Sequence, residues 1–243
     1  TQDLDFRPRP ITSLLIVLLP AVMQMEDKGG NIEVALFPIP NVVAFPGVDL
    51  PLHVFEPRYR QLINDCVSSN RLVGVSHTLK AIHQPAKQQT LEQALSSNQA
   101  TYKPREVFSA GPCEILETTS DGRIIAKVAI NQRLSLLEEI QSLPYRIVNC
   151  IELRDEASQT PSEEAALKTS INARLIEIVG NEQPDLGQAL SDPDWTNLEP
   201  AEYSFRIFQY LRFDADLMQM ILETQSAYTR LEMIWDLLRP SAN

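Results

Sequence analysis

The chain has 243 residues, 44% hydrophobic and 22% charged, enough to bury a sizeable core as one large domain or two small ones. Its 32 acidic residues against 21 basic ones give a formal net charge of −11. A field of that sign repels phosphate backbones, and the basic residues are scattered, which argues against nucleic acid as a partner.

The first ten residues, TQDLDFRPRP, are polar, and ITSLLIVLLPAVM from Ile11 to Met23 is strongly apolar. That run is broken by Pro20 and falls short of the roughly 20 residues a bilayer-spanning helix needs. Arg7 and Arg9 upstream give it the look of a secretion signal, but no A-x-A cleavage site follows. No membrane association is therefore expected. Residues 1–31 are read as an N-terminal extension, disordered or lying ahead of a true start near Met23 or Met25.

Ile32 to Phe37 is strand-like, and Leu50 to Phe55 alternates with period two, Leu50, Leu52 and Val54 sharing a face. Pro46-Gly47 between them is a turn signal. Pro57 suits the first turn of a helix, with Tyr59, Leu62, Ile63, Cys66 and Val67 forming its apolar face. Arg71 to Ser76 is a further strand. Residues 78–105 are polar and Gln-rich and read as a surface excursion or mobile loop, with a short helix capped near Thr90 and Gln93. Cys113 to Thr118 is a strand candidate, and Asp121-Gly122 is a hairpin turn. Ile124 to Ile130, Arg133 to Ile140 and Tyr145 to Leu153 supply further strands. The prolines of the 37–60 run then punctuate a folded entry: strand edges at Pro38, Pro40 and Pro51, a turn at Pro46, a helix start at Pro57.

After Asp155 the pattern becomes helical. Thr160-Pro-Ser-Glu163 reads as a capping box, and its helix runs to about Val179 with Gly180 as the stop. Asp185 to Trp195 looks irregular. Ala201 to Arg212, Ala215 to Thr224 and Ala227 to Arg239 are apolar-periodic, the last with Ala227, Leu231, Ile234, Trp235 and Leu238 on one face. The fold class is α+β: a β-rich subdomain over 32–155, a twisted or barrel-like antiparallel sheet with one helix, then a helical subdomain over 156–243.

Recognisable catalytic motifs are missing. There is no GxxxxGK[ST], no GxGxxG among the eight glycines, no GxSxG and no HExxH. Cys66, Cys113 and Cys150 lie far apart without CxxC spacing, and His53, His77 and His83 do not complete a metal set, so no metal or cofactor is expected. The thiols read as buried or idle in a reducing cytoplasm. Asp49 and His53 share a strand face, but strand geometry spaces them about 13 Å apart, too far for a dyad. His77 and His83 read as surface residues, and Glu138-Glu139 and Glu163-Glu164 as solvated faces. Arg58, in the cluster with Glu56 and Arg60, reads as an ion-pair partner or carbonyl cap at the helix start.

The run VALFPIPNVVAFPGVDLPLHVFEPRYRQLINDCV resembles the start of the Lon protease N-terminal, or substrate-binding, domain. That family's pattern of an LPLFPL strand, a VVLFPG stretch and an LPLHIFEPRY segment maps onto Leu36 to Ile39, Val42 to Gly47 and Leu50 to Tyr59. Looser similarity continues through DGRIIAKVAINQRLSLLEEI to the closing helices, so it covers Ile32 to Leu238. Lon enzymes continue into an ATPase and a Ser-Lys peptidase domain. This chain ends at Asn243, which reads as a stand-alone member.

The resemblance implies a non-catalytic recognition or adaptor module, cytoplasmic, whose partners are polypeptide clients or a partner protein such as a protease complex. A dedicated structural or assembly subunit is the alternative, and a small hydrolase using His53 a remoter one. Recognition of that kind needs an exposed apolar patch, for which Tyr203, Phe205, Phe208, Tyr210 and Phe213 are the candidates. The competing expectation is that at least half of them pack the two subdomains together. The 37–60 run itself is expected to build the fold and touch no substrate.

Overall fold

The structure, a computed structural model, describes residues 30–83, 101–180 and 183–239. The apolar run 11–23 and the short helix expected near Thr90 and Gln93 lie outside the described residues.

Five strands close a barrel in the order β1 (Ile32–Pro38), β10 (Arg146–Glu152), β9 (Gln132–Gln141), β6 (Val107–Gly111) and β3 (Leu72–Ser76). The expected barrel-like sheet is thus present but not wholly antiparallel, because β1 pairs β3 in parallel. A parallel pair needs a crossover, here β2 (Asp49–Val54) and helix α1 (Pro57–Ser69). Val34, Leu36, Phe108, Ala110, Leu134, Val148 and Cys150 fill the barrel. Gly74 is what lets that filling fit: a Cβ there would lie 2.5 Å from the Phe108 ring and 2.8 Å from Val34.

A three-stranded sheet, β2-β8-β7, with β7 at Cys113–Thr118 and β8 at Ile124–Ala129, covers the barrel together with α1. Leu52, Val54, Tyr59, Leu62, Ile63 and Cys66 pack there against Ala35, Val73, Val75 and Ile147. Val67, expected on the apolar helix face, is instead 39% exposed. Part of the polar excursion is also ordered. β4 (Thr78–His83) and β5 (Thr101–Pro104) form a two-stranded antiparallel sheet, too short and polar to be read from alternation.

The helical part comprises α2 (Pro161–Val179), α3 (Pro184–Ser191), α4 (Pro193–Thr196), α5 (Pro200–Arg206) with a 3₁₀ turn at Ile207–Gln209, α6 (Ala215–Glu223) and α7 (Ala227–Leu238). The stretch expected to be irregular therefore holds two short helices, each opened by a proline at its first turn. At α2 the capping box is not made. The Thr160 side chain forms no cap bond, its carbonyl accepts from the Glu163 and Glu164 N–H groups at 3.0 Å, and Glu164 turns inward to accept from Ser158 Oγ at 2.7 Å. Glu164 is buried rather than solvated. No described helix is long and apolar enough to cross a membrane.

The 37–60 run ties the two parts together. Two successive turns, Ile39–Val42 and Phe45–Val48, each place proline second, and their third residues, Asn41 and Gly47, adopt φ of 59° and 81°. Pro40 is thus a turn residue rather than a strand edge. Between the turns Val43 and Phe45 enter the helical core, whereas Ala44 enters the core beneath α1. Phe45 stacks on Phe208 at 4.0 Å between ring centroids. A polar node lies alongside. Asp155 receives Arg230 at 2.6 and 2.8 Å and also pairs with Arg133; both guanidiniums are buried against the Phe205 ring, 4.0 and 4.8 Å from its centre. Arg133 Nη1 further donates to the carbonyls of Leu222 and Thr224, at 2.6 and 2.9 Å.

Candidate functional site

A cavity of about 390 Å³ lies along β2. Its walls are Phe37, Pro38, Ile39, Pro40 and Val42 on one side and Leu50, Pro51, Leu52 and His53 on the other, with Phe55, Glu56, Arg58 and Tyr59 at one end and Tyr102 of β5 above. Every lining residue but Tyr102 belongs to the 37–60 run. The expectation that this run touches no ligand has no support in its placement, because the segment that builds the fold also builds the groove.

Local sequence explains the shape. The first proline turn, Ile39–Val42, reverses the chain directly after β1, and Pro51 keeps β2 at a sheet edge, where a missing N–H costs nothing. Tyr59 forms the floor, stacked on Phe37 at 4.0 Å, and burial pushes its phenol up to about 12 despite the opposing Arg58 charge. Arg58 lies over the same ring at 4.5 Å and pairs with Glu56 at 2.9 Å, as expected of an ion pair at the helix start. A second cavity of about 230 Å³ shares Pro38, Arg58, Tyr59 and Tyr102 with the first and extends the trough to Leu143, whose side chain is 79% exposed.

The five aromatic candidates are brought together, but inside the helical core. Tyr203, Phe205 and Phe208 are buried, and Tyr210 and Phe213 are half-buried against the same cluster. Trp195 packs on Tyr203 and Tyr210 at 5.0 and 5.1 Å. Phe205 and Phe208 meet Phe45 across the subdomain boundary, leaving little of either ring accessible.

The titratable candidates stay apart. His53 is exposed on the groove rim, and Asp49 instead faces Lys127 at 3.3 Å. His77, expected on the surface, is buried. Its Nδ1 accepts the Asn41 N–H at 3.1 Å, and Nε2 lies 3.6 Å from Asp216, which pairs with Arg105. His83 falls in β4. Burial drives the thiols up, Cys66 and Cys150 to about 12 and Cys113 to about 11, so they are protonated and unreactive at neutral pH. Among the described residues no three His, Cys, Asp or Glu side chains cluster to hold a metal.

The described residues form a closed small barrel with a covering sheet, a helical part and an apolar trough. The chain's family is shown by comparison. Residues 33–239 match the model of the ATP-dependent protease La (LON) substrate-binding domain, and the chain belongs to that family. It is 21% identical over 215 residues to Lon protease 1 of Herpetosiphon aurantiacus, covering 87% of this chain and 24% of that protein. The chain thus spans about a quarter of that relative's length. Two solved structures share the fold. The N-terminal domain of Mycobacterium avium complex Lon protease matches with a TM-score of 0.62 at 14% identity, over 86% of this chain and all of that one. A Lon N-terminal domain protein from Xanthomonas campestris matches at 0.58 and 17%, over 85% and 99%.

Proposed function

We propose that the chain is a non-catalytic recognition module that binds unfolded or partner polypeptides in the trough between residues 37–42 and β2. The observation that carries this is the apolar cavity of about 390 Å³, in the size range of ligand sites and built within the residues that match the family model. Exposed apolar segments of a non-native chain are what such a surface buries. A cytoplasmic setting, with delivery of clients to a protease complex, fits the relatives named above.

Fluorescence anisotropy with labelled, reduced casein tests the reading. Saturable binding, competed by an unlabelled unfolded chain and weakened by Tyr102→Ala, is the expected result. Absence of saturable binding would overturn it. Casein degradation by the pure chain, abolished by His53→Ala, would replace it with the hydrolase reading. Affinity capture that recovers one stoichiometric protein and no unfolded chains would favour a dedicated assembly subunit.

A further inference from the structure

Among the described residues β2 forms one end of its sheet and pairs only with β8, in the register Leu50–Val128, Pro51–Lys127, Leu52–Ala126 and His53–Ile125. Proline has no N–H, so Pro51–Lys127 must be a non-hydrogen-bonded pair of the antiparallel ladder. Leu50, Leu52 and Val54 therefore bond to β8. The main-chain groups of Asp49, Pro51 and His53 point away from it: two N–H donors and three carbonyl acceptors. None of these has a hydrogen-bond partner among the described residues. The unpaired edge runs beside the cavity, since Leu50, Pro51, Leu52 and His53 line it.

We infer that the occupant is an extended apolar polypeptide segment that adds to the free edge of β2 as a further strand, with a basic residue beside Asp49. This rests on the recognition reading above and specifies its mode. In an added strand, alternate side chains fall on the face shared by Leu50 and Leu52 and enter the cavity, while its main chain meets the open groups of Asp49, Pro51 and His53. The absent donor at Pro51 limits the pairing to a short segment and disfavours long edge-to-edge stacking of two copies. Charge selects the flank. At the Asp49 end the exposed carboxylates of Asp49 and Glu114 lie 3.3 and 3.9 Å from the ammonium of Lys127, Arg212 lines a neighbouring cavity with Asp49, and the whole chain carries −11. A lysine or arginine there is favoured and a glutamate repelled.

The probe is a fluorescein-labelled ten-residue peptide of alternating valine and threonine with lysines at both ends, titrated against the intact chain. Two further peptides carry N-methyl groups on the amides of one register or the other. Methylation of the register facing β2 should weaken binding by at least about tenfold, for two or three lost hydrogen bonds, and the other register by less than about twofold. Replacing the lysines by glutamates should weaken binding at low salt, a difference that shrinks with added salt and in Asp49→Asn. Equal tolerance of both methylated peptides would overturn the added strand. Absence of binding by the unmodified peptide would overturn it too, and the casein titration run beside it reports separately whether polypeptide recognition stands. Dimers that form through β2 in sedimentation and exclude the peptide would also overturn it, with a second copy as the occupant. His53→Pro removes an outward donor without touching a β8 bond and should mimic the methylated peptide.

Discussion

The seam between the subdomains and the trough along β2 use the same kinds of residues to opposite ends. At the seam, aromatic rings and charged groups are closed on one another: Phe45 lies on Phe208, and two buried guanidiniums share Asp155 and several carbonyls. At the trough, apolar side chains and main-chain groups of β2 face outward. The difference teaches that polarity and aromaticity alone do not separate a scaffold from a site; whether the hydrogen bonds are already spent does.

Substitutions should divide along that line. Asp155→Ala leaves two buried guanidiniums without their carboxylate and should lower stability most, by about 4 kcal/mol in urea unfolding. A loss below about 1 kcal/mol would mean the node is replaceable by water. Phe45→Ala removes the ring that keys the β-rich part into the helical core and should cost about 3 kcal/mol, again without direct effect on the trough. Alkali provides a third test. The folded chain holds the thiols of Cys66, Cys113 and Cys150 and the phenols of Tyr59 and Tyr145 above their ordinary values, chiefly through burial. Groups raised in this way contribute stability that is complete below their unfolded values and lost as pH rises through the folded ones. The urea midpoint should therefore hold steady up to about pH 8.5 and fall above it; a midpoint that rises there would contradict the burial of these groups. The smallest stability change belongs to the trough. Leu143→Ser, at a side chain already 79% exposed, should move stability by less than about 0.5 kcal/mol while weakening casein binding about fivefold. A large stability loss with unchanged binding would invert the comparison.

How much of this could be read from residues alone depended on range. Local signals held: period-two alternation at Leu50 to Val54, the Pro46-Gly47 and Asp121-Gly122 turns, the 3.6 period through Leu62, Ile63 and Cys66. Signals that need a distant partner were invisible. Arg133 and Arg230 look like solvated charges until folding sets both on Asp155, and Glu164 and His77 are buried for the same kind of reason. The aromatic candidates were dense in sequence because they fill a core, which is the commoner use of such density. Pro51 did carry a usable signal for the trough: a proline within an alternating strand marks a sheet edge, and an edge beside apolar turns is a place for another chain to lie.

The closure of the barrel has a consequence in time. β1 pairs with β3 on one side and with β10 on the other, so β1 cannot complete its ladder until β10 has left the ribosome. At ordinary elongation rates that wait is on the order of ten seconds. Through it, the apolar edge of a half-built barrel stands open to whatever nascent or unfolded chain is near, so a protein proposed to hold such chains is first one of them.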